Sequence, residues 1–205
     1  MEVFKNYNTS VFPMQIILCL LASVSIYLSI KRTPWSDKAM AAILSFFWIW
    51  MGIVYHIINF SAVNKAAYIF GAAFIFPGIL FLYMGFFRQK ITFRFYFDIY
   101  GITGGVLILF ALILYPVLGY FQGHIYPSSP TFGLPCPTTI FTFGLLLWTD
   151  RKFPIDLIII PFIWSIIGLS AVFTLGIKED ISLLIAAFFA TTLLILRNRK
   201  MTVSI

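Results

Sequence analysis

The feature that most constrains this chain is a series of seven apolar stretches, each near the length that crosses a lipid bilayer. A transmembrane helix needs about 20 consecutive apolar residues. The chain has 205 residues, of which 61% are hydrophobic and 10% charged, whereas about 25% of a soluble domain is charged. The sequence therefore predicts an all-α, polytopic membrane protein forming one domain over residues 1–205. The predicted spans are residues 11–30, 39–60, 67–87, 96–119, 134–149, 154–176 and 181–197.

Basic residues are divided unevenly between the two sets of loops, and this division indicates the orientation. Eleven of the 14 lysines and arginines fall at one set of helix ends, and three, Lys5, Lys65 and Lys178, fall at the other. Short loops rich in Lys and Arg stay in the cytoplasm. We therefore predict a protein of the cytoplasmic (inner) membrane with its N-terminus outside and its C-terminus inside. The net charge of +7 then reflects topology, and no nucleic-acid partner is expected.

The two halves of the chain resemble each other. The stretch KRTPWSDK before the second span resembles TDRKFPID before the sixth, and FWIWMGI resembles FIWSIIGL. This pattern predicts a 3+1+3 parallel repeat in which the fourth span inverts the chain; chance similarity between apolar helices is the alternative. Pro13 and Pro135 then lie at matching outer positions, and interrupted helices at matching positions of two halves indicate a transporter's binding site. Structural breaks are predicted at Pro13, Gly133, Pro135 and Pro137.

Polar side chains gather at the outer ends of the predicted spans. A polar group within a span is costly and usually faces the protein interior or a water-filled cavity. We therefore expect an extracytoplasmic ligand site there. Its candidate residues are His56, Asn64, His124, Tyr126, Cys136 and Thr138. At the inner boundary, Asp98 follows Arg94 by four residues, a spacing that predicts an ion pair along one helix face.

Two chemical alternatives involve the same residues. His56, His124 and Cys136 are of the types that bind soft or borderline metal ions, but no HxxxH or CxxC spacing supports a metal site. No other cofactor is predicted. Cys136 with either histidine would also form a nucleophile–base pair, oriented by Asp180 or Asn64. No nucleotide-binding or catalytic motif is present, so no catalytic residue is assigned and a function other than catalysis is favoured.

Three motifs carry a resemblance to a known family. They are YNTSVFPMQ, with Tyr7, Asn8, Pro13 and Gln15, then YHIINFSAVNKAA, and finally YPSSPTFGLPCPTTIFTFG. In these motifs the chain resembles a family of uncharacterised bacterial multi-pass membrane proteins that is known only as a domain of unknown function. The resemblance covers nearly the whole chain. It implies a single-domain polytopic protein and implies no activity, substrate or catalytic residue.

The function expected from the sequence is that of a small-solute or ion transporter or facilitator with a site open to the extracytoplasmic face. A non-transporting subunit or assembly partner of a membrane complex is the first alternative, and a membrane enzyme that uses Cys136 is the second. The expected partners are the lipid bilayer and a small solute or ion. A homo-oligomer is compatible with the sequence, which does not identify the substrate, its direction of movement or the energy source.

Overall fold

Apolar helices form nearly all of the structure, as the composition predicts. The computed structural model describes residues 2–174 and 176–203, apart from the side chains of residues 174, 202 and 203. Within this described part the fold is all-helical. The helices are α1 (Glu2–Val11), α2 (Met14–Ile30), α3 (Ser36–Ala62), α4 (Ala67–Phe87), α5 (Ile99–Phe121), α6 (Pro135–Leu147), α7 (Asp156–Gly168, continued by Ser170–Thr174) and α8 (a 3₁₀ turn, Lys178–Asp180, followed by Ile181–Val203).

Five of the described helices, α3, α4, α5, α7 and α8, are long and apolar enough to cross a membrane. Helices α1 and α2 make a sixth only when they are counted together, because their axes differ by 80°. The bend lies at Pro13, the position of a predicted break, where the ring and the missing N–H prevent a continuous helix. The structure thus confirms the coarser part of the prediction, an all-helical fold with five or six helices that are long and apolar enough to cross a membrane, whereas the seven spans stay a prediction.

The exterior of the bundle suits a lipid environment. Large apolar side chains are exposed on several helices, including Ile69 on α4, Val106 on α5, Ile163 on α7 and Phe188 on α8. An exposed apolar surface of this kind marks a membrane or protein interaction surface. These side chains face away from the core that the remaining apolar residues form.

Helix α6 lies inside the bundle. Every one of its residues is buried except Cys136, which is half-buried. It packs against α5, α7 and α8, and Trp48 of α3 donates a hydrogen bond from Nε1 to Thr142 Oγ1 at 3.2 Å. A helix that is apolar on all sides is typically buried. Its 13 residues extend about 20 Å, less than the roughly 30 Å of a hydrocarbon core.

Glycines allow α5 to approach α6 closely. A Cβ atom added to Gly104 would lie 2.6 Å from the carbonyl oxygen of Gly144, and one added to Gly144 would lie 2.8 Å from the carbonyl oxygen of Gly104. Small residues let membrane helices pack with their backbones in contact. Trp148, just after α6, closes this interface by donating a hydrogen bond from Nε1 to the carbonyl of Gly101 at 2.9 Å.

Arg197 of α8 caps the C-terminal end of α6. Its side chain is only 6% exposed, and its Nη1 donates to the carbonyls of Leu147 at 3.0 Å and Thr149 at 2.6 Å. Nη2 donates to the Thr149 hydroxyl. The last carbonyls of a helix have no partner within the helix, and a cation at this end is favoured by the helix dipole. This arginine therefore fixes the position of the buried helix.

The loops that carry most of the basic residues meet at this same end of the bundle. Arg32 forms ion pairs with Asp37 at 3.0 Å and with Asp150 at 3.7 Å. Asp37 also accepts a hydrogen bond from the backbone N–H of Phe93 at 2.8 Å. The loops after α2, α4 and α6 thus contact one another, in agreement with the set of loops that the sequence groups together.

The ion pair predicted between Arg94 and Asp98 is wrong in its geometry. Residues 88–98 are not helical, so the two side chains do not lie on one helix face. Asp98 is the N-cap of α5 instead, and its Oδ1 accepts a hydrogen bond from the N–H of Gly101 at 2.8 Å. Capping satisfies a backbone donor that has no partner at the start of a helix.

Candidate functional site

The opposite end of the bundle is organised by Asn8 of α1. This side chain is fully buried and its Nδ2 donates to the carbonyls of Pro127 at 2.7 Å and Ser129 at 2.8 Å. Its Oδ1 accepts a hydrogen bond from the Thr131 hydroxyl at 2.7 Å. Gln15 Nε2 donates to the Asn8 carbonyl at 2.8 Å. The N-terminal helix is thereby fastened to the segment that leads into α6.

Tyr7, the neighbour of Asn8, holds the last turn of that segment. Its hydroxyl donates to the carbonyl of Gly133 at 3.3 Å and accepts a hydrogen bond from Trp50 Nε1 at 2.8 Å. Gly133 has a φ of +100°, a conformation that favours glycine. Its N–H donates to the hydroxyl of Thr138 at 3.0 Å. The first and third sequence motifs therefore meet in space, and side chains of the first motif satisfy backbone carbonyls of the third.

The two prolines around Cys136 begin a helix and do not interrupt one. Pro135 is the first residue of α6, and Pro137 is the third. Proline is favoured in the first turn because the N–H that it lacks would have no helical partner there. The predicted break at Gly133, Pro135 and Pro137 is thus a turn followed by a helix start. Cys136 is therefore the second residue of α6, directly after the segment that Tyr7 and Asn8 hold.

A cavity of about 410 Å³ lies at this helix start. Ligand pockets in proteins typically have about 300–1,000 Å³. Most of the wall is apolar and aromatic, and its rings belong to Phe4, Tyr55, Phe60, Phe70, Tyr115 and Trp164. Polar side chains at the wall are Asn64, Tyr115, Cys136, Ser170 and Asp180. A mostly apolar cavity with a few convergent polar groups is the usual form of a small-molecule site.

Asp180 provides the strongest polar feature of the cavity. It is only 1% exposed and directly precedes the helix Ile181–Val203. The hydroxyl of Tyr115 donates a hydrogen bond to its Oδ1, and the thiol of Cys136 lies beside the same carboxylate at the cavity wall. Behind it, Glu179 pairs with His124, whose Nδ1 is 2.8 Å from Oε1. Three helices, α5, α6 and α8, thus contribute to one buried carboxylate site.

The structure brings only some of the candidate residues together. Cys136 and Asn64 both lie at the cavity wall, and the Asn64 Oδ1 accepts a hydrogen bond from the N–H of Ala66 at 2.9 Å. His124 does not line the cavity; it contacts Glu179, the residue that precedes Asp180 of the cavity wall. Thr138 is buried below the wall, and Tyr126 is half exposed on the segment before α6.

His56 lies apart from these residues in a cage of aromatic rings. Its ring is fully buried, 4.7 Å from the Phe74 ring and 5.1 Å from the Trp164 ring, centroid to centroid. Neither ring nitrogen has a hydrogen-bond partner among the residues that the structure describes. It lies where α3 widens to π-helical turns, Met51–Asn59. Such turns often occur at functional sites, and here they turn the imidazole toward the aromatic wall of the cavity.

Neither chemical alternative gains support from this arrangement. Among residues 2–174 and 176–203, no three His, Cys, Asp or Glu side chains group as metal ligands would, so the metal site stays a prediction. The Cys136 thiol contacts a carboxylate, while His124 is paired with Glu179. A nucleophile needs a base within hydrogen-bond reach, and neither histidine makes that contact in the described structure.

The sequence motifs did not point to two residues of the site. Tyr115 lies within an apolar span and carries no motif. Asp180 belongs to an acidic pair beside an apolar span of a basic protein, and the sequence offers it as a residue that orients a catalytic histidine but not as a ligand-site residue. An acidic side chain at the edge of a span was the available signal, since such residues are rare and usually functional.

The comparisons with known proteins address the family and leave the activity open. No curated protein and no protein of solved structure matches this chain. One family does match, over residues 1–204, and it is described as a family of unknown function, DUF6064. The resemblance seen in the sequence is thus confirmed for a family of unknown function that covers the whole chain, while the motif assignments stay predictions. The chain belongs to the DUF6064 family.

Proposed function

We propose that this protein is a small-solute transporter or facilitator whose recognition site is the cavity at the start of α6. The observation that carries the proposal is the buried carboxylate of Asp180 in the cavity wall. An ionisable group within a membrane-spanning bundle is costly, and such groups usually mark the path of a substrate or ion.

The arrangement around α6 suits movement from one side of the bundle to the other. A second cavity, of about 180 Å³, lies at the far end of α6 beside Leu147, Thr149 and Arg197. Between the two cavities, α6 carries the buried hydroxyls of Thr138 and Thr142. In the proposed mechanism, α6 and its neighbours form the barrier, and their repacking exposes the site to each side in turn.

The finer topology belongs to the same proposal. The bent pair α1–α2 and the short α6 each complete one crossing, which gives seven crossings together with the five long helices. The 13 residues of α6 are too short to cross the bilayer alone, and the segment before α6 spans the remaining depth. The basic end, with Arg32 and Arg197, then faces the cytoplasm of a bacterial inner membrane, and the cavity faces outward. The 3+1+3 repeat stays a prediction within this scheme.

The test is a comparison of solute levels in cells with and without the protein. Mass spectrometry of the cells and of the medium should show at least one small solute whose distribution changes when the wild type is expressed. Ala171 lies at the cavity wall, so a phenyl group in Ala171→Phe should occupy the site and abolish the change. Ala39, which is also half-buried but lies at the basic end of α3, provides the matched control Ala39→Phe.

Two results would contradict transport. One is that the wild type changes no solute, which would favour the subunit alternative and direct attention to copurifying proteins. The other is that Ala171→Phe and Ala39→Phe behave alike, since the cavity would then have no part in the effect. Both variants must first be shown to reach the membrane in equal amounts.

A further inference from the structure

The charge at the cavity wall has one sign. Asp180 is the charged side chain at the wall, and no lysine, arginine or histidine lies there among the described residues. Glu179 adds a second carboxylate directly behind it. In a site of low dielectric constant, charges interact far more strongly than in water. An anionic ligand would meet repulsion here, and a cationic ligand would meet attraction.

Asp180 has no cationic partner of its own in the described structure. Its hydrogen bond comes from the neutral hydroxyl of Tyr115, the neutral thiol of Cys136 lies beside it, and the nearby His124 pairs with Glu179. The carboxylate lies at the start of α8 and beside Cys136 in the first turn of α6. Helix N-termini stabilise negative charge, but only as partial charges. An ammonium group in the cavity would supply the full counter-charge that favours the ionised form of this carboxylate.

Aromatic rings line the same cavity as this carboxylate. The Tyr55 and Phe60 rings stack with centroids 5.7 Å apart and planes 9° apart, and the Phe70 and Trp164 rings meet edge to face at 5.6 Å. All four lie at the cavity wall. The faces of such rings attract ammonium groups, and cages of this kind recognise quaternary ammonium ligands. The apolar remainder of the wall suits the body of the same ligand.

We propose that the cavity recognises a monovalent organic cation, an ammonium group on a compact apolar body, through the Asp180 carboxylate and the aromatic wall. This proposal rests on the proposed transport function and names its substrate class. The cavity of about 410 Å³ lies at the small end of the range for small-molecule sites. The ligand is therefore compact, with one charged group and a single ring or short chain.

The test compares three probes of similar shape on the protein in lipid nanodiscs. The probes are benzyltrimethylammonium, the neutral neopentylbenzene, in which carbon replaces nitrogen, and the anionic phenylmethanesulfonate. Binding to empty nanodiscs is subtracted to correct for partition into lipid. We expect the cation to bind about tenfold more tightly than the neutral compound, because it gains both a coulombic attraction to the carboxylate and a cation–π contact, and the anion to bind most weakly.

Two variants with the same change in charge provide the control. Asp180→Asn keeps an acceptor for Tyr115 and should abolish the preference for the cation. Asp156→Asn removes an exposed carboxylate at the opposite end of the bundle and should keep the preference. Trp164→Leu should weaken binding of the cation more than binding of the neutral compound. A measurement on the wild type does not depend on whether a variant folds. There, a saturating amount of the cation should slow chemical modification of the Cys136 thiol.

The outcomes separate this proposal from the one on which it depends. Failure of the cation to bind, equal binding of the cation and the neutral compound, or a preference that survives Asp180→Asn would each overturn the cation proposal. Transport itself would stand if Ala171→Phe still abolished a solute change that Ala39→Phe preserved. If those two variants behaved alike, the transport proposal would fail whatever the probes did.

Discussion

Replacement of Asn8 by alanine should destabilise the protein more than alanine substitution of any other asparagine or glutamine at the same end of the bundle. The side chain makes three hydrogen bonds of 2.7–2.8 Å to residues more than 110 positions away. Each contributes about 1 kcal/mol net, and a buried carbonyl left without a donor costs a further 1–3 kcal/mol or so. The sum is about 4–6 kcal/mol, a large part of the roughly 5–15 kcal/mol that stabilises a typical protein.

The assay is thermal unfolding of the purified protein in detergent, followed by intrinsic fluorescence. For a protein of this size, 1 kcal/mol corresponds to about 2–4 °C in Tm, so Asn8→Ala should lower Tm by about 10 °C. Asn6→Ala is the matched control, since Asn6 is exposed on the same helix, and its Tm should stay near that of the wild type. Asn8→Asp should be at least as harmful, because a carboxylate would face the carbonyls of Pro127 and Ser129.

The reasoning would be refuted if Asn8→Ala and Asn6→Ala shifted Tm equally. That result would mean that water or local rearrangement satisfies the backbone of the segment before α6 without Asn8. A larger shift for alanine than for aspartate would contradict the assignment of Nδ2 as the donor to both carbonyls.

Three further substitutions test the packing around α6. Arg197→Met should lower Tm by several degrees, because it leaves the end of α6 without its charged cap; thermal unfolding measures this, and full stability of the variant would contradict the capping role. Gly104→Ala should reduce the yield of folded protein in size-exclusion chromatography, since the new methyl would lie 2.6 Å from a backbone oxygen, whereas Gly105→Ala, whose nearest neighbour atom would be 3.7 Å away, should be tolerated. Gly133→Ala should destabilise the helix start, because its φ is positive and its Cβ would lie 2.4 Å from a Leu18 methyl; an unchanged Tm would show that the turn adopts another conformation.

The helices can be predicted from the sequence because the length of the apolar stretches alone defines them. The sequence also predicts the division of the chain into two ends, because the basic residues are unevenly spread. It placed α6 at 134–149, and the structure has Pro135–Leu147. The absence of charge on any face of that stretch was a signal of full burial, but it did not show which helices would surround it.

The site itself could be predicted only in part. The motifs around Asn8 and Cys136 marked segments of interest, yet their contact joins residues more than 110 positions apart, and no periodicity reports such a contact. The sequence places His56 and Cys136 at the same predicted end of the spans and suggests that they act together. Residues at the same end of a bundle need not be in contact. Packing put His56 behind aromatic rings and put Asp180 beside Cys136. Such pairings depend on how helices rotate about their axes, which tertiary packing decides.

Accessibility of the Cys136 thiol from outside intact cells tests the central claim most directly. In a Cys19→Ser background, the small membrane-impermeant reagent MTSET, a methanethiosulfonate bearing a trimethylammonium group, is added to cells, and the remaining thiol is then labelled with maleimide after denaturation. The account predicts that external reagent blocks Cys136, and that Ala171→Phe slows the block while Ala39→Phe does not. A thiol that reacts only from the cytoplasmic side of inverted vesicles, or from neither side, would contradict a cavity open to the outer face.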